Sequence, residues 1–250
     1  MTIFEICLLT SAGFLAGVIN AIAGGGSFLT FPALVFAGVP TIPANATSAV
    51  AVFPGYLSGA LGYLDELRLY PRRHLSALLG LSVLGGVLGS LLLLVTPATV
   101  FSAVVPWLLG FATLVFALGK RISNWAERRS QTTGNLGTLS TLIVCIYGGY
   151  FNGGLGIILL ALFSTLGVRD LNVMNGLKNA MSFILSAASV VTFALAGIIY
   201  WPQALLMMVS ATVGGYCGAL LARRLSARVI RSIVICVGVA MTIVFTFRTI

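Results

Sequence analysis

The chain has 250 residues, 59% of them hydrophobic and 8% charged, with a mean hydropathy of +1.09; soluble domains carry about a quarter charged residues, so a soluble globular protein is excluded. At roughly 20 residues per membrane crossing, the length allows at most about ten spans and no separate soluble domain. The formal net charge of +9 does not point to nucleic acid, because the basic residues gather in short loops between apolar runs, where they act as orientation signals.

Taken in order, apolar runs occupy 3–23, 28–39, 44–64, 75–95, 99–118, 136–151, 155–168, 171–199, 204–222 and 230–247, five in each half. The second and seventh are too short to span comfortably and fall in the length class of re-entrant or half-membrane helices. Each follows a glycine-rich break. The first run begins at Ile3 without a basic leader and ends without a small-residue cleavage motif, so no cleaved signal peptide is expected. Cys7, Cys145, Cys217 and Cys236 each stand alone in an apolar run, as small hydrophobes rather than disulfide or metal partners.

The charged loops order the runs across the bilayer. Arg68, Arg72 and Arg73 lie between runs three and four, Lys120, Arg121, Arg128 and Arg129 between five and six, Arg169 between seven and eight, and Arg223, Arg224 and Arg228 between nine and ten. Alternating runs place all of these on one side, opposite the uncharged loops at 40–43, 96–97 and 200–203. The positive-inside rule makes that side cytoplasmic and both termini periplasmic. Charge does not distinguish ten spans from fewer spans with re-entrant hairpins.

The halves echo one another. Gly24 and Gly25 stand 129 positions before Gly153 and Gly154, Gly38-Val39 the same distance before Gly167-Val168, and Gly85-Gly86 with Gly89 the same distance before Gly214-Gly215 with Gly218. An odd number of runs per half sends the second half in from the opposite face. The expected fold is therefore an all-α polytopic membrane protein of about 8–10 membrane segments, made of two inverted repeats with broken, short half-membrane helices at the centre. Residues 1–119 form the first repeat, 120–135 a cytoplasmic linker with a short surface helix around Trp125, and 136–250 the second repeat. Glycine-spaced faces such as those at Gly85 and Gly214 let helices approach closely.

The twin breaks are the candidate site. Unwound backbone survives in a bilayer only where protein or a water-filled cavity satisfies it, and matched glycine interruptions in two halves mark a transporter's site near the midplane. Gly24, Gly25 and Gly26 lead into Ser27, and Gly153 and Gly154 lead into Gly156. Both offer free N–H groups at the positive end of a short helix, which favours an anion. Asn20 and Asn152 precede the breaks and either orient a ligand oxygen or cap the backbone. Asn45, Thr47 and Ser48 form a polar cluster in run three, with Asn175, Lys178 and Asn179 at the matching place in run eight. Lys178, the lone basic residue within a run, either neutralises a bound anion or snorkels toward the interface near Arg169.

Other chemistry finds little support. The Gly24–Ser27 stretch lacks the Lys-Ser or Lys-Thr of a nucleotide loop, and the Asn45-Ala46-Thr47 sequon sits at a helix entrance. His74, the only histidine, borders a basic loop as an interface residue. No nucleophile with a base, aspartate pair or metal cluster is visible, so no catalytic residue, metal or cofactor is expected. The acids Glu5, Asp65, Glu66, Glu127 and Asp170 all lie in loops or near run ends, which argues against a buried proton relay.

The N-A-I-A-G-G-G-S-F-L-T-F-P-A-L stretch from Asn20 to Leu34, the Ala44-Asn45-Ala46-Thr47-Ser48 element and the Asn152-Gly153-Gly154-Leu155-Gly156 echo resemble the TauE/SafE sulfite-exporter family, over nearly the whole chain. In the second half Gly176-Leu177-Lys178-Asn179 replaces the Thr-Ser type of element. The resemblance implies a bacterial or archaeal inner-membrane permease that moves sulfite or small organosulfur anions such as sulfoacetate, and the inside-negative membrane potential makes export the expected direction. Its partners are then a small sulfur-containing anion and the lipid bilayer. An anion channel, an uptake permease and a membrane-embedded enzyme are the alternatives.

Overall fold

The computed structural model describes residues 1–23, 25–128, 135–221 and 227–249. Every apolar run is a helix: α1 (Ile3–Ala23), α2 (Ser27–Phe36), α3 (Thr41–Leu61), α5 (Arg72–Val95), α6 (Ala98–Arg128), α7 (Asn135–Tyr150), α8 (Leu155–Thr165), α9 (Leu171–Leu195), α10 (Trp201–Leu221) and α11 (Ala227–Thr249), with a further short helix, α4 (Leu64–Leu69), between α3 and α5. The described residues are all-helical. Two expectations are corrected. The charged turn Leu64-Asp65-Glu66-Leu67-Arg68-Leu69 is helical, tied down by buried Leu67. Trp125 belongs to no separate surface helix, because α6 continues unbroken to Arg128, with no proline and no glycine after Gly119 to end it.

The acids serve as local structure where their side chains are described. Thr2 and Glu5 form a reciprocal capping box at the start of α1 (3.1 and 3.2 Å). Asp170 accepts from the Asn172 and Val173 N–H groups at the start of α9 (2.7 and 3.2 Å). Asp65 pairs loosely with Arg68 on an exposed turn, which contributes little.

Among the described residues, four stretches are long and apolar enough to cross a membrane: Ile3–Asn20, Arg72–Val95, Ala98–Val115 and Leu171–Leu195. The 21-residue α3 is long enough but carries Thr41, Asn45, Thr47, Ser48 and Ser58, which lower its hydropathy. Large apolar side chains stand outermost, among them Ile3 (83% exposed), Trp107 (79%) and Leu195 (85%). In water such a surface would be an aggregation liability; in lipid it is the solvated face.

The helices pack as two interlocked groups. α1 lies along α10 and α5 along α7; α3 packs on α9 at the centre, and α6 pairs with α11. Matching α1 with α7, α2 with α8, α3 with α9, α5 with α10 and α6 with α11 carries the first two contacts into each other and the last two onto themselves. Both α5 and α6 start 129 positions before their counterparts. Phe53 meets Phe183 and Gly59 meets Asn179, so α3 and α9 are antiparallel, as are α6 and α11, where Gly110 faces Thr242 and Gly238 faces Thr113. α1 and α10 run parallel, as do α5 and α7. These four directions agree with the alternation of runs deduced from the charged loops.

Close backbone approach holds the parallel pairs. A Cβ on Gly17 would overlap Ala211 O, one on Gly214 would overlap Phe14 O, and one on Gly89 would overlap Ile146 O. Because lipid is as apolar as leucine, such packing rather than water exclusion drives helix association. The short helices end alike. After α2, Gly38 (φ 84°) donates to Val35 O and Val39 to Leu34 O; after α8, Gly167 (φ 81°) donates to Ser164 O and Val168 to Phe163 O. Both are left-handed glycine caps of the Schellman type.

Candidate substrate site

The two breaks converge on Tyr56 of α3. Its buried hydroxyl donates to Asn152 Oδ1 at 3.3 Å, from the second break, and the Ser27 side chain at the start of α2 lies beside the same hydroxyl. Residues from Ser27 to Asn152, 125 positions apart in the chain, thus share one buried polar centre.

At the first break α1 ends at Ala23 and α2 starts at Ser27. Gly24 lies outside the described residues. Gly25 and Gly26 are buried, and their carbonyls accept from Phe28 N (3.2 Å) and Leu29 N (3.1 Å). A Cβ on Gly26 would stand 2.9 Å from Ala16 O and 3.1 Å from Asn20 Cβ, so the break packs backbone against α1. At the second break the chain leaves α7 at Tyr150 and passes Phe151, Asn152 and Gly153 before α8 begins. Tyr147 OH donates to Gly153 O at 2.6 Å. Gly154 is left-handed (φ 73°), and a Cβ there would stand 3.0 Å from Ala112 Cβ. Gly156 is buried in the first turn of α8.

Neither short helix has a side-chain N-cap hydrogen bond, so the capping alternative for Asn20 and Asn152 is not realised. Asn20 is still within α1, its Nδ2 close to Gly55 of α3, and its Oδ1 is buried without a partner. Asn152 is 8% exposed; Tyr56 occupies its Oδ1, and its Nδ2 has no partner. A buried amide left unmatched costs about 1–3 kcal/mol, which is tolerable where a ligand completes it.

The cluster on α3 is engaged otherwise. Asn45 Nδ2 donates to Tyr150 O (3.0 Å), Thr47 Oγ1 accepts from Tyr200 N (3.1 Å), and Ser48 shares a 2.6 Å hydrogen bond with Thr30. Two of these contacts satisfy helix ends, the last carbonyl of α7 and an N–H at the start of α10, which lack intrahelical partners. The structure brings Asn45, Thr47 and Ser48 to protein partners that lock α3 to α7, α10 and α2.

On α9, Lys178 Nζ donates to Asn175 Oδ1 (3.1 Å), and Asn175 Nδ2 donates to Leu171 O (2.9 Å). Lys178 is drawn back toward the start of its own helix, the direction helical side chains favour, and away from the turn that follows it. Asn179 points elsewhere, against Gly59 of α3. Among the described residues no group of three His, Cys, Asp or Glu could hold a metal ion.

Sequence reasoning missed Tyr56 and Tyr147. Each is a tyrosine among apolar neighbours at no distinctive spacing; Tyr56 is assigned to a break by a contact across the fold, and Tyr147 by the turn that brings Gly153, six residues on, back to its hydroxyl.

A family model described as "Sulfite exporter TauE/SafE" matches residues 9–245. A relative from Haemophilus influenzae, named a probable membrane transporter protein, is 31% identical over 239 residues, covering 95% of this chain and 92% of its own. The probable membrane transporter protein ORF9 of Sinorhizobium sp is 28% identical over 239 residues (95% and 91%), and the probable membrane transporter protein YfcA of Escherichia coli K12 is 24% identical over 235 residues (94% and 87%). No solved structure matches the chain with significance.

Proposed function

The chain belongs to the sulfite exporter TauE/SafE family of membrane transporters, and from that premise we propose that it exports a small sulfur-containing oxyanion across the cytoplasmic membrane, bound where the two breaks meet at Tyr56. The meeting of Ser27, Tyr56 and Asn152 carries this reading. The centre holds hydroxyl and amide donors at the N-terminal ends of two short helices, and such donors with helix dipoles favour an anion. Among the described residues the carboxylates sit at helix starts and on an exposed turn, so none opposes a negative charge there.

The helix pairing supports two inverted repeats related about the α3–α9 contact, and the basic loops support periplasmic termini; a site at the repeat interface is the arrangement in which alternating access comes from rocking one group against the other. Outward movement fits the membrane potential. With the inside negative, expelling a unit negative charge gains about 2.3 kcal/mol per 100 mV, so export of a monoanion needs no coupling ion and uptake would need one.

A thermal-shift screen of purified protein against sulfite, thiosulfate, sulfoacetate, taurine and sulfate tests the substrate class, because a ligand that binds the folded state raises its stability by mass action. Stabilisation by one sulfur oxyanion, with its unaltered appearance across protein-only vesicles, is the expected result. Chemical conversion of the solute would favour an enzyme, and flux far above alternating-access rates a channel.

A further inference from the structure

We propose that Ser182 and Ser186 of α9 hold the transported solute at the inner end of a hydrated polar route that descends this helix from Lys178 and Asn179. The inference rests on the reading of the two breaks as the transport site and adds to it a route and two contact residues.

Buried serines within a helix ordinarily donate to the carbonyl four residues back. In this chain Ser82 bonds Leu78 O (2.8 Å), Ser90 bonds Gly86 O (2.7 Å), Ser164 bonds Leu160 O (3.1 Å) and Ser210 bonds Leu206 O (2.9 Å). Ser182 and Ser186 depart from that pattern. Both are 1% exposed, and neither hydroxyl has a hydrogen-bond partner. A buried hydroxyl that forgoes the nearest acceptor and finds no other is the mark of a group whose partner comes from outside the chain.

Their neighbours give the two hydroxyls a place. Lys178 and Asn179 precede Ser182 by four and three residues, and Ser186 follows by four, so these residues share a helix face. Burial deepens along it, from half-buried Lys178 and Asn179 to fully buried Ser182 and Ser186. The antiparallel contacts Phe53 with Phe183 and Gly59 with Asn179 set Ser182 level with Tyr56, which carries Asn152 on its hydroxyl. Leu155 and Leu185 both close on Gly148, which puts the turn of Ser186 beside the start of α8. The two hydroxyls and Asn152 Nδ2 therefore border the second break as unmatched donors, a set that suits the acceptor oxygens of an oxyanion.

The test places Ser182→Cys, Ser186→Cys and, as an equally buried control on the opposite side of α9, Leu177→Cys singly in a chain whose native cysteines are replaced by alanine. Each is treated in proteoliposomes with a charged methanethiosulfonate reagent. Thiols at 182 and 186 are expected to react about tenfold faster than at 177, because a thiol ionises where water reaches it. Sulfoacetate is expected to slow them. Separately, Ser182→Ala and Ser186→Ala should each weaken sulfoacetate binding about fivefold, the loss of one hydrogen bond, while leaving the Tm unchanged or raised because an unmatched buried hydroxyl is gone. Reaction at 182 and 186 no faster than at 177, with full affinity in both alanine variants, overturns the route. Fast reaction without protection by sulfoacetate, and no thermal shift of the parent protein with any sulfur anion, supports the route and overturns the substrate class.

Discussion

Phe53 and Phe183 stack with ring centroids 4.8 Å apart and planes 18° from parallel, and each is the thirteenth residue of its helix, α3 and α9. Residues of equal rank thus touch on two antiparallel helices. The central pair therefore meets at matching positions, and around it the α1–α10 and α5–α7 contacts exchange.

This pairing gives a measurable coupling. Aromatic pairs contribute about 0.5–1.5 kcal/mol beyond area burial. A double-mutant cycle of Phe53→Leu and Phe183→Leu, followed by reversible unfolding in detergent, should return a coupling in that range. Strict additivity would mean that the rings merely neighbour one another.

The sign of the ligand charge is tested at Asn152. Asn152→Asp is nearly isosteric, and its carboxylate faces the same centre; it should abolish binding of a sulfur oxyanion, while Tyr56→Phe should weaken it about fivefold through one lost hydrogen bond. Direct binding by calorimetry reads both. Retained or strengthened anion binding in Asn152→Asp would contradict an anion site.

Gly154 separates backbone strain from bulk. At φ 73° an L-residue costs about 1–2 kcal/mol, and asparagine tolerates that region better than most. Gly154→Val should therefore abolish vesicle flux and lower Tm more than Gly154→Asn does. Equal Tm values for the two variants would mean that the turn relaxes.

Lys178 bonds to Asn175 rather than to a break, so its charge acts at the mouth of the route. Lys178→Met should slow solute entry about tenfold at low ionic strength, as loss of electrostatic steering does, and high salt should narrow the difference. Affinity should fall by no more than the same factor at low ionic strength and recover in high salt, because the release rate is unchanged. An affinity loss that persists in high salt, measured by direct binding, would move the ammonium onto the bound anion.

Orientation is checked by cysteine labelling of intact cells. Arg72→Cys and Arg169→Cys should be shielded from an impermeant maleimide, and Thr96→Cys should be reached, because basic loops stay cytoplasmic. Labelling at both arginine positions would reverse the assigned sides.

The sequence by itself determined the helices and the breaks. Hydropathy and helix breakers act on neighbouring residues, so the ten apolar runs, the two short helices and the pairing of Gly38 with Gly167 could be read without knowing what each segment touches. The close-packing faces at Gly85 and Gly214 were legible for the same reason. What the polar side chains do was decided by the tertiary structure. Tyr56 finds Asn152 across 96 positions, Thr47 finds Tyr200 across 153, and Asn45 finds Tyr150 across 105. The similar polar residues of α3 and of the breaks thus separate into those matched by protein and those left open. Inside a membrane, where water satisfies no stray donor, that difference distinguishes frame from site, and it depends on partners that no local pattern names.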